Sequence, residues 1–357
     1  MMNREVTDGN VEKYRKTMTP SELKGKLPIS EGMRKTVENG RNEIKDILEK
    51  KSGKKVIITG PCSIHDIDEA KEYADRIKEL SEKVNDKFLL VMRVYLEKPR
   101  TTIGWKGMIN DPYLNDSYDI NAGLHEGRRL LAYAAEIGVP TGTEFLGSVT
   151  PQYIDDLISW AAIGARTTES QPHREMASGL SVPVGFKNDT KGNVKIAING
   201  IKAARHPHSF RGINQNGEIC IVDTKGNDHC HVVLRGGKNG SGYAPNYDSV
   251  SIERTLDLLQ KEELPENIMV DCSHGNSGKD HKKQPQVFRH VVQQIKDGNE
   301  SIIGLMLESN LKEGNQSLPE DPSELKRGVS ITDACIGWDT TENLIMDAYE
   351  TLKDRSE

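Results

Sequence analysis

The amino-acid sequence predicts an α/β protein, a (β/α)8 TIM barrel with an N-terminal helical extension and an inserted β-hairpin. Eight short apolar runs are spread along the chain, and each of them ends in a polar or reactive residue. This arrangement is typical of barrel strands, whose carboxyl ends line one shared site. Helical segments separate most of the runs. The 357 residues exceed the roughly 250 of a typical barrel, which leaves room for additions.

The first part of the chain, residues 1–52, is predicted to be an extension that precedes a barrel over residues 53–357. Thr19–Glu22 has the form of a capping box, and Ser30 is placed to cap a longer helix that ends near Lys50. An amphipathic extension of this kind serves oligomer or regulatory contacts in one interpretation and plugs the barrel in another. The sequence favours neither.

The eight apolar runs are the predicted barrel strands. They cover residues 56–59, 89–94, 141–145, 158–163, 182–186, 230–234, 268–270 and 302–307. Residues 210–229 break the alternation of strands and helices, because two β-like runs flank Asn216 and Gly217, a strong hairpin signal. We expect this hairpin to decorate the barrel and to take no part in its closed sheet.

Composition and charge limit the class of protein. The formal net charge is −6, which argues against general nucleic-acid binding, since that needs a basic face. No apolar run approaches the roughly 20 residues of a membrane span, and the N-terminus lacks the apolar core of a signal peptide. Five scattered cysteines indicate reduced thiols. The expectation is a cytoplasmic protein that binds neither nucleic acid nor membrane.

Basic residues recur at the predicted strand ends and on the loop after the second strand. So many converging cations would repel one another unless anions compensate them, and Arg and Lys suit phosphate and carboxylate groups. The pattern therefore predicts one or two substrates with several negative charges; scattered surface salt bridges are the alternative. The residues are Arg93, Lys98, Arg100, Arg166, Lys187 and Arg235.

A second group combines a thiol, an imidazole and two carboxylates. Cys62, His274 and Glu308 follow the first, seventh and eighth predicted strands, which adjoin when a barrel closes, and Asp333 lies just beyond them in sequence. This mixed set suits a borderline divalent ion such as Mn, Fe, Co or Zn. The alternative is that Cys62 is only a small core hydrophobe. His65 and His173 are further candidates for ligation or proton transfer.

Several long motifs resemble those of the microbial, feedback-regulated type I class of 3-deoxy-D-arabino-heptulosonate 7-phosphate (DAHP) synthase. They are GPCSIHD, EKPRTTIGWKGMINDP, GARTTESQPHREMASGL, PVGFKN, RGGK, DCSHGNSGKD, ESNLKEGNQS and SITDACIGW. The resemblance covers nearly the whole chain and weakens in the first fifty and last fifteen residues.

The resemblance implies a (β/α)8 transferase that condenses phosphoenolpyruvate with erythrose 4-phosphate and releases phosphate, in the first step of the shikimate pathway. The positions that the family uses as metal ligands and as phosphoenolpyruvate and erythrose 4-phosphate contacts are matched without substitution. The implied metal ligands are Cys62, His274, Glu308 and Asp333. The implied phosphoenolpyruvate contacts are Arg93, Lys98, Arg166, Lys187 and Arg235. The implied erythrose 4-phosphate contacts are Lys98, Pro99, Arg100 and Thr101.

The catalytic roles implied by this resemblance are partly open. Lys98 is placed to protonate the developing alkoxide, while Glu144 and His173 are candidates to assist the attack of water; which residue moves which proton is undecided. Cys62 as a partly exposed ligand would be sensitive to oxidation. Cys272 is either an oxidative disulfide partner or a thiol of the barrel core, and we favour the core thiol.

The resemblance also implies feedback inhibition by an aromatic amino acid, and assembly as a homodimer or homotetramer. The effector is expected between the N-terminal extension, the 210–229 hairpin and the helices after the fourth and fifth strands. Gly212 lacks a side chain and so leaves room for a phenolic hydroxyl, which favours tyrosine over phenylalanine, with tryptophan third. The matching positions are Pro151, Gln152, Leu180, Ser181, Phe210 and Gly212.

Two other functions remain as alternatives. A sister enzyme that uses arabinose 5-phosphate has the same chemistry, but the Lys98–Thr101 loop and the long additions argue against it. A catalytically silent phosphosugar sensor would keep the barrel, and the intact metal and phosphate positions argue against that.

Overall fold

Eight parallel strands close into a barrel in the order in which they follow one another along the chain. The computed structural model describes residues 6–240 and 242–353. The barrel strands are β1 (Lys55–Gly60), β2 (Phe88–Arg93), β3 (Thr141–Glu144), β4 (Trp160–Ile163), β5 (Val184–Lys187), β8 (Cys230–Leu234), β11 (Ile268–Asp271) and β12 (Ile302–Glu308). The helices are α1 (Pro20–Lys26), α2 (Glu31–Leu48), α3 (Ile67–Val84), α4 (Ile120–Glu136), α5 (Pro151–Ile154), α6 (Gln171–Gly179), α7 (Val194–Ala204), α8 (Ser249–Lys261), α9 (Gln284–Lys296) and α10 (Trp338–Lys353).

The predicted (β/α)8 barrel is confirmed, and all eight apolar runs contain a barrel strand. Most boundaries differ by one or two residues. The largest shift is at the fourth and fifth strands, which begin two residues later than predicted, because 158–159 and 182–183 lead into the sheet as loop. β8 agrees with its predicted range at both ends.

Side chains alternate between the barrel interior and the surrounding helical layer, as the two-residue period of a strand requires. Ile57 of β1 packs in the cluster shared with the helices, whereas Val56 and Ile58 pack in the interior cluster. The interior includes Trp160, which fits because Gly142 and Gly185 on the two neighbouring strands leave space for its ring.

The helix α2 covers the amino ends of the barrel strands. Its residues Ile44 and Ile47 join the interior cluster, and the Leu48 carbonyl accepts a hydrogen bond from Asn267 Nδ2 at 2.9 Å. Arg41 donates to the carbonyl of Ile158 at 2.9 Å, just before β4. These contacts support the interpretation of this helix as a barrel plug.

The ends of the two N-terminal helices follow from their caps. Thr19 accepts from the backbone N–H of Glu22, and the Glu22 carboxylate accepts from the backbone N–H of Thr19, so the predicted capping box is present. Ser30 caps α2, which ends at Leu48, slightly before the predicted position.

The inserted hairpin consists of β6 (Ser209–Ile213) and β7 (Ile219–Asp223), paired antiparallel outside the barrel. Gly217 adopts a positive φ of 76° in the connecting turn, a conformation that favours glycine. A second small hairpin, β9 (Gly237–Asn239) and β10 (Gly242–Ala244), was not predicted, because its strands are only three residues long. Among the described residues, no helix combines the length and apolar character that crossing a membrane requires.

The fit of Trp160 against Gly185 gives the first prediction. A Cβ at position 185 would lie 2.5 Å from Trp160 Cζ2 and 2.6 Å from Val233 Cγ2, closer than real contacts allow. Gly185→Ala should therefore lower the free energy of unfolding by about 1–3 kcal/mol. Urea unfolding followed by circular dichroism measures this change.

The matched control is Gly25→Ala, since a Cβ at position 25 of α1 would meet nothing within 4 Å. Helix propensity predicts that this change is neutral or stabilises by up to about 1 kcal/mol. Equal stability of Gly185→Ala and the unchanged protein would contradict the packing of Trp160 described above.

Candidate active site

The carboxyl ends of the barrel strands surround a cavity of about 200 Å³. Of the fifteen described residues that line it, seven are lysine or arginine and two are carboxylates, so its lining is strongly positive. Such a lining suits a ligand with several negative charges. The lining residues that the sequence predicted are Arg93, Lys98, Pro99, Arg100, Thr101, Glu144, Arg166, Lys187, Arg235, His274 and Asp333.

Lys187 ends β5 and is buried, which is costly for an ammonium group unless it is paired. Its Nζ lies 3.0 Å from Asp271 Oδ2, at the end of β11. Burial opposes the charge on Lys187, but Asp271 together with Tyr95 and Glu144 raises the pKa of the ammonium. Burial likewise opposes ionisation of Asp271, and Lys187 and His274 hold the pKa of that carboxyl well below its usual range.

A second buried pair joins Arg93, at the end of β2, to Glu308, at the end of β12. Arg93 Nη2 lies 3.1 Å from Glu308 Oε1, and Arg93 also donates to the carbonyl of Pro61. Burial opposes both charges, yet Glu308 raises the pKa of the guanidinium, and His274 and Arg93 lower the pKa of Glu308. Each residue therefore favours the charged form of the other, and the pair links the ends of β2 and β12.

Tyr95 was not predicted from the sequence as a site residue. Its ring centroid lies 3.6 Å from Arg93 Cζ and 5.6 Å from Lys187 Nζ, so both cations contact one aromatic ring. The hydroxyl is buried and has no hydrogen-bond partner in the described part of the chain, although Tyr95 lines the cavity. A buried hydroxyl without a partner is costly, so it is a candidate to contact a bound substrate.

Three of the four predicted metal ligands form a tight cluster. The ligand atoms of Cys62, Glu308 and Asp333 all lie within 4.8 Å of one another. His274 reaches the same place, since its Nε2 lies 3.7 Å from Glu308 Oε1. A thiol, an imidazole and two carboxylates fit a borderline divalent cation, so this donor set fits the metal that the sequence resemblance implies.

Residues outside the cluster orient His274. Its Nδ1 lies 3.0 Å from Asp271 Oδ2 and 2.6 Å from Ser273 Oγ, which leaves Nε2 directed at the cluster. Metal-binding histidines characteristically use their second nitrogen in this way. His274 also has a positive φ of 55°, an uncommon conformation for a residue with a side chain.

Lys98 lies between the cluster of potential metal ligands and the positive cavity, and it contacts both. Its Nζ lies 2.7 Å from Cys62 Sγ. Burial opposes the charge on Lys98, but Cys62, Glu308 and Asp333 raise the pKa of its ammonium. Burial and Glu308 raise the pKa of the Cys62 thiol, and a coordinated cation would favour the thiolate.

A buried cluster of asparagines, which the sequence did not predict, holds the loop that carries Arg235. Asn188 Oδ1 accepts from the backbone N–H of Arg235 at 2.9 Å, and Asn246 Oδ1 accepts from that of Gly236 at 2.7 Å. Asn276 Oδ1 accepts from the backbone N–H of Asn246 at 2.8 Å. Gly236 has a φ of 65°, and a Cβ there would lie 2.5 Å from Asn276 N, so glycine is required.

The mouth of the cavity is formed by more exposed residues. Arg166 lies in the turn after β4 and donates to Thr101 Oγ1 at 3.2 Å. Arg100 lies on the same loop as Thr101 and is exposed. Lys279, a lining residue that was not predicted, places its Nζ 3.6 Å from Asp333 Oδ1.

The remaining acid–base candidates lie in different places. Glu144 ends β3 and lines the cavity, and its carboxylate occupies the space that a side chain at Gly164 would need. His173 lies on α6 and has partners for both ring nitrogens, Ser170 Oγ and the Leu146 carbonyl, each at 2.8 Å. The structure therefore does not bring His173 to the cavity lining. His65 is buried beside Glu69, and burial lowers its pKa.

Cys272 faces the core and not the cavity. Its side chain is fully buried in the cluster shared with the helices, and burial raises the pKa of its thiol well above the usual value. These features agree with its interpretation as a core thiol.

The residues expected to bind an effector lie on elements that contact one another. Gln152 Oε1 on α5 accepts from Gln215 Nε2 of the β6–β7 turn at 2.9 Å. The backbone N–H of Ser21 on α1 donates to the Gln215 carbonyl at 2.8 Å. Ser178 Oγ on α6 lies 2.7 Å from Thr224 Oγ1 at the base of the hairpin, which is a hydrogen-bonding distance. The predicted residues are Pro151 and Gln152 on α5, Leu180 and Ser181 after α6, and Phe210 and Gly212 on β6.

Known proteins resemble this chain over nearly its whole length. Residues 32–346 match the family model of the DAHP synthetase I family. The chain is 51% identical over 350 residues to the Tyr-sensitive phospho-2-dehydro-3-deoxyheptonate aldolase of Escherichia coli (strain K12), covering 98% of this chain and 96% of that one. It is 48% identical over 354 residues to the Phe-sensitive enzyme of the same organism, covering 99% of each.

A solved structure is also similar. The phospho-2-dehydro-3-deoxyheptonate aldolase from Francisella tularensis SCHU S4 superposes with a TM-score of 0.93 at 44% sequence identity. The match covers 98% of this chain and 100% of that one.

The metal cluster gives the second prediction. Cys62→Ala removes the thiol ligand and leaves two carboxylates and an imidazole, so the affinity for Mn²⁺ should fall by about tenfold or more. Inductively coupled plasma mass spectrometry after equilibrium dialysis measures the bound metal. Cys230→Ala is the control, because Cys230 is equally buried but lies at the opposite end of the barrel. Equal metal content in both variants would remove Cys62 from the ligand set.

Proposed function

The chain belongs to the DAHP synthetase I family, and we propose that it condenses phosphoenolpyruvate with erythrose 4-phosphate to give DAHP and inorganic phosphate. The observation that carries this proposal is the positive cavity that adjoins a cluster of metal-ligand residues at one end of the barrel. Phosphoenolpyruvate and erythrose 4-phosphate together bring a carboxylate and two phosphates, which matches the charge of the lining.

Phosphoenolpyruvate is assigned to the inner cations. Arg93 and Lys187 are rigid because their buried partners and Tyr95 fix them, and Arg235 is fixed through its backbone by the asparagine cluster. Arginine offers a forked pair of donors to carboxylate or phosphate. Fixing the substrate in a reactive orientation removes part of the entropic barrier before the reaction begins. Lys98 and Arg166 complete the assigned set.

Erythrose 4-phosphate is assigned to the mouth of the cavity. The loop Lys98–Thr101 continues from β2, and Arg100 and Thr101 lie where the phosphate of a second substrate would remain partly exposed. Its aldehyde would then reach the metal cluster, since Lys98 contacts both places.

Cys62, His274, Glu308 and Asp333 would hold a divalent cation, which we propose to be Mn, Fe, Co or Zn. When bound, this cation would act as a Lewis acid toward the aldehyde oxygen. In the condensation, C3 of phosphoenolpyruvate forms a bond with the aldehyde carbon, water adds at C2, and the phosphate leaves with its bridging C–O bond broken. Atoms balance with one water consumed for each phosphate released.

Two residues are assigned to the proton transfers. Lys98, whose ammonium is stabilised by the Cys62 sulfur and by the Glu308 and Asp333 carboxylates, is placed to give a proton to the oxygen of the former aldehyde. Glu144 lines the cavity and is the candidate to accept a proton from the attacking water. His173 is a weaker candidate, because both of its ring nitrogens are engaged behind the cavity.

Regulation by an aromatic amino acid is proposed at the junction of α1, α5, α6 and the β6–β7 hairpin. The relatives include both Tyr-sensitive and Phe-sensitive enzymes. Gly212 has no side chain in this region, which favours tyrosine, with phenylalanine or tryptophan as alternatives. Residues 1–52 and the hairpin are the proposed sites of regulatory and subunit contacts in a homodimer or homotetramer. The exposed Ile219 and Ile221 of β7 support this, since large exposed apolar residues often mark interfaces.

The experiment that tests the proposed activity is an assay of phosphate release from phosphoenolpyruvate with erythrose 4-phosphate and Mn²⁺. We expect turnover that stops with EDTA and is inhibited more strongly by tyrosine than by phenylalanine or tryptophan. Turnover with arabinose 5-phosphate and none with erythrose 4-phosphate would assign the sister activity. No turnover with either sugar would favour the catalytically silent phosphosugar sensor. Inhibition by phenylalanine without tyrosine would overturn only the choice of effector.

The Tyr95 hydroxyl gives the next prediction. Tyr95→Phe keeps the ring between Arg93 and Lys187 and removes only the hydroxyl, so kcat/KM should fall about tenfold through loss of one hydrogen bond to the substrate or its transition state. Steady-state kinetics and a thermal melt measure the two effects separately, and the melting temperature should not fall.

Tyr73→Phe is the control, since the Tyr73 hydroxyl is also buried but lies 3.0 Å from Thr59 Oγ1, behind β1. That change should lower stability and leave the kinetics intact. Unchanged kinetics in Tyr95→Phe would remove the hydroxyl from the reaction.

A further inference from the structure

A second cavity, of about 540 Å³, lies beside the reaction cavity and serves no step of the proposed reaction. We call it the arm cavity, because residues 15–17 of the N-terminal segment form one wall. The other walls come from the loops after β2 and β3, from the start of α4 and from α5. The lining includes Arg15, Lys16, Glu97, Asn110, Leu124 and Tyr153.

The floor and rim of the arm cavity are apolar. Leu124 and Tyr153 are buried at its floor, whereas Tyr118, Ile120 and Val149 at its rim are 40–43% exposed. A concave site of several hundred Å³ that combines apolar surface with polar side chains has the form of a small-molecule site. Partly exposed apolar side chains at the rim would gain from covering by a ligand.

The acidic groups of the arm cavity are used by the protein itself. Glu97 accepts hydrogen bonds from the backbone N–H groups of Leu146 and Gly147 and from Thr150 Oγ1, at 3.1–3.2 Å. Asp119 caps α4 by accepting from the backbone N–H of Ala122 at 3.1 Å. Neither carboxylate therefore needs a ligand cation.

Three other polar residues of the arm cavity, Arg15, Lys16 and Asn110, have groups that a ligand could engage. Arg15 donates from Nη2 to the Tyr118 carbonyl at 3.0 Å, which places its guanidinium at the mouth, with Lys16 next to it. Asn110 lines the cavity, and its buried Oδ1 has no hydrogen-bond partner in the described part of the chain. The two cations would bind an anionic group, and Asn110 Oδ1 would accept a hydrogen bond from a ligand.

We propose that the arm cavity binds a small apolar carboxylate that carries a hydrogen-bond donor. Its carboxylate pairs with Arg15 and Lys16, its hydroxyl or amine donates to Asn110 Oδ1, and its apolar body lies on Leu124 and Tyr153. The volume suits a molecule of about the size of an aromatic amino or hydroxy acid.

The arm cavity is separate from the proposed effector site. Both adjoin the short helix α5, but Gln152 bonds to the hairpin residue Gln215, while Thr150 and Tyr153 line the arm cavity. A ligand in the arm cavity would also hold the N-terminal segment, which is fixed here by the hydrogen bonds from Met18 N to Asn121 Oδ1 and from Tyr153 to the Met18 carbonyl.

Isothermal titration calorimetry of the full chain with L-3-phenyllactate tests this proposal. This probe has an apolar body, a carboxylate and a hydroxyl donor. We expect one site per chain, with weaker binding of 3-phenylpropionate, which lacks the donor, and of 2-phenylethanol, which lacks the carboxylate. The titration is then repeated in the presence of a saturating concentration of the aromatic amino acid that inhibits turnover. Phenyllactate should still bind at one site per chain.

Two variants locate the binding. The double variant Arg15→Gln, Lys16→Gln should weaken phenyllactate binding by about tenfold or more through loss of the charged contacts, and Asn110→Leu should do so through loss of the acceptor. Lys13→Gln is the matched control, since it removes a nearby exposed charge outside the cavity. The arginine and lysine variants change exposed side chains and leave the fold intact.

Three results would overturn the proposal. They are the absence of phenyllactate binding, binding that all variants share equally, and a crystal structure in which a segment of a second copy of the chain fills the arm cavity. None of these affects the phosphate-release assay, so failure here is distinguishable from failure of the proposed synthase activity.

Discussion

The pairing of buried opposite charges at the carboxyl end of the barrel is the constraint on which the site depends. Lys187 with Asp271 and Arg93 with Glu308 are almost completely removed from solvent, and either member left alone would be strongly unfavourable. Each pair joins two strands, β2 with β12 and β5 with β11, and the closed barrel brings the members of both pairs together. The carboxylates also have second roles. Asp271 orients His274, and Glu308 belongs to the metal cluster.

The buried cations and the cluster of potential metal ligands are therefore one network. A change at Glu308 would alter Arg93 as well as the metal cluster, and a change at Asp271 would alter Lys187 as well as His274. Such coupled groups respond non-additively to substitution, because they share partners in a region of low dielectric constant. Tyr95 belongs to the same unit, since both buried cations contact its ring.

The sequence predicted those parts of the molecule that are encoded locally. Apolar runs that end in polar residues indicated all eight strands, and the same strand ends indicated Arg93, Lys187 and Arg235. The supporting residues were not predictable in this way. Asn188, Asn246 and Asn276 come from three separate loops, and only the folded chain brings their amides together around Gly236. In the sequence, Tyr95 is an aromatic residue at the start of the loop after the second predicted strand, and nothing marks it as a site residue until the burial of its hydroxyl is known. His173 is the opposite case. The sequence suggested it as an acid–base candidate, but both of its ring nitrogens form hydrogen bonds away from the cavity.

Glu97 and Lys98 show how the two cavities are related. The Glu97 carboxylate is anchored to the 146–150 loop on the side of the arm cavity, and Lys98 extends to Cys62 on the side of the reaction cavity. Because these residues are consecutive in an irregular segment, the backbone between them forms part of both walls. A displacement of the 146–150 loop would pull on Glu97 and alter the reach of Lys98. The position of Lys98 is therefore set by contacts that Glu97 makes on the side of the arm cavity, as much as by the thiol and carboxylates that Lys98 faces.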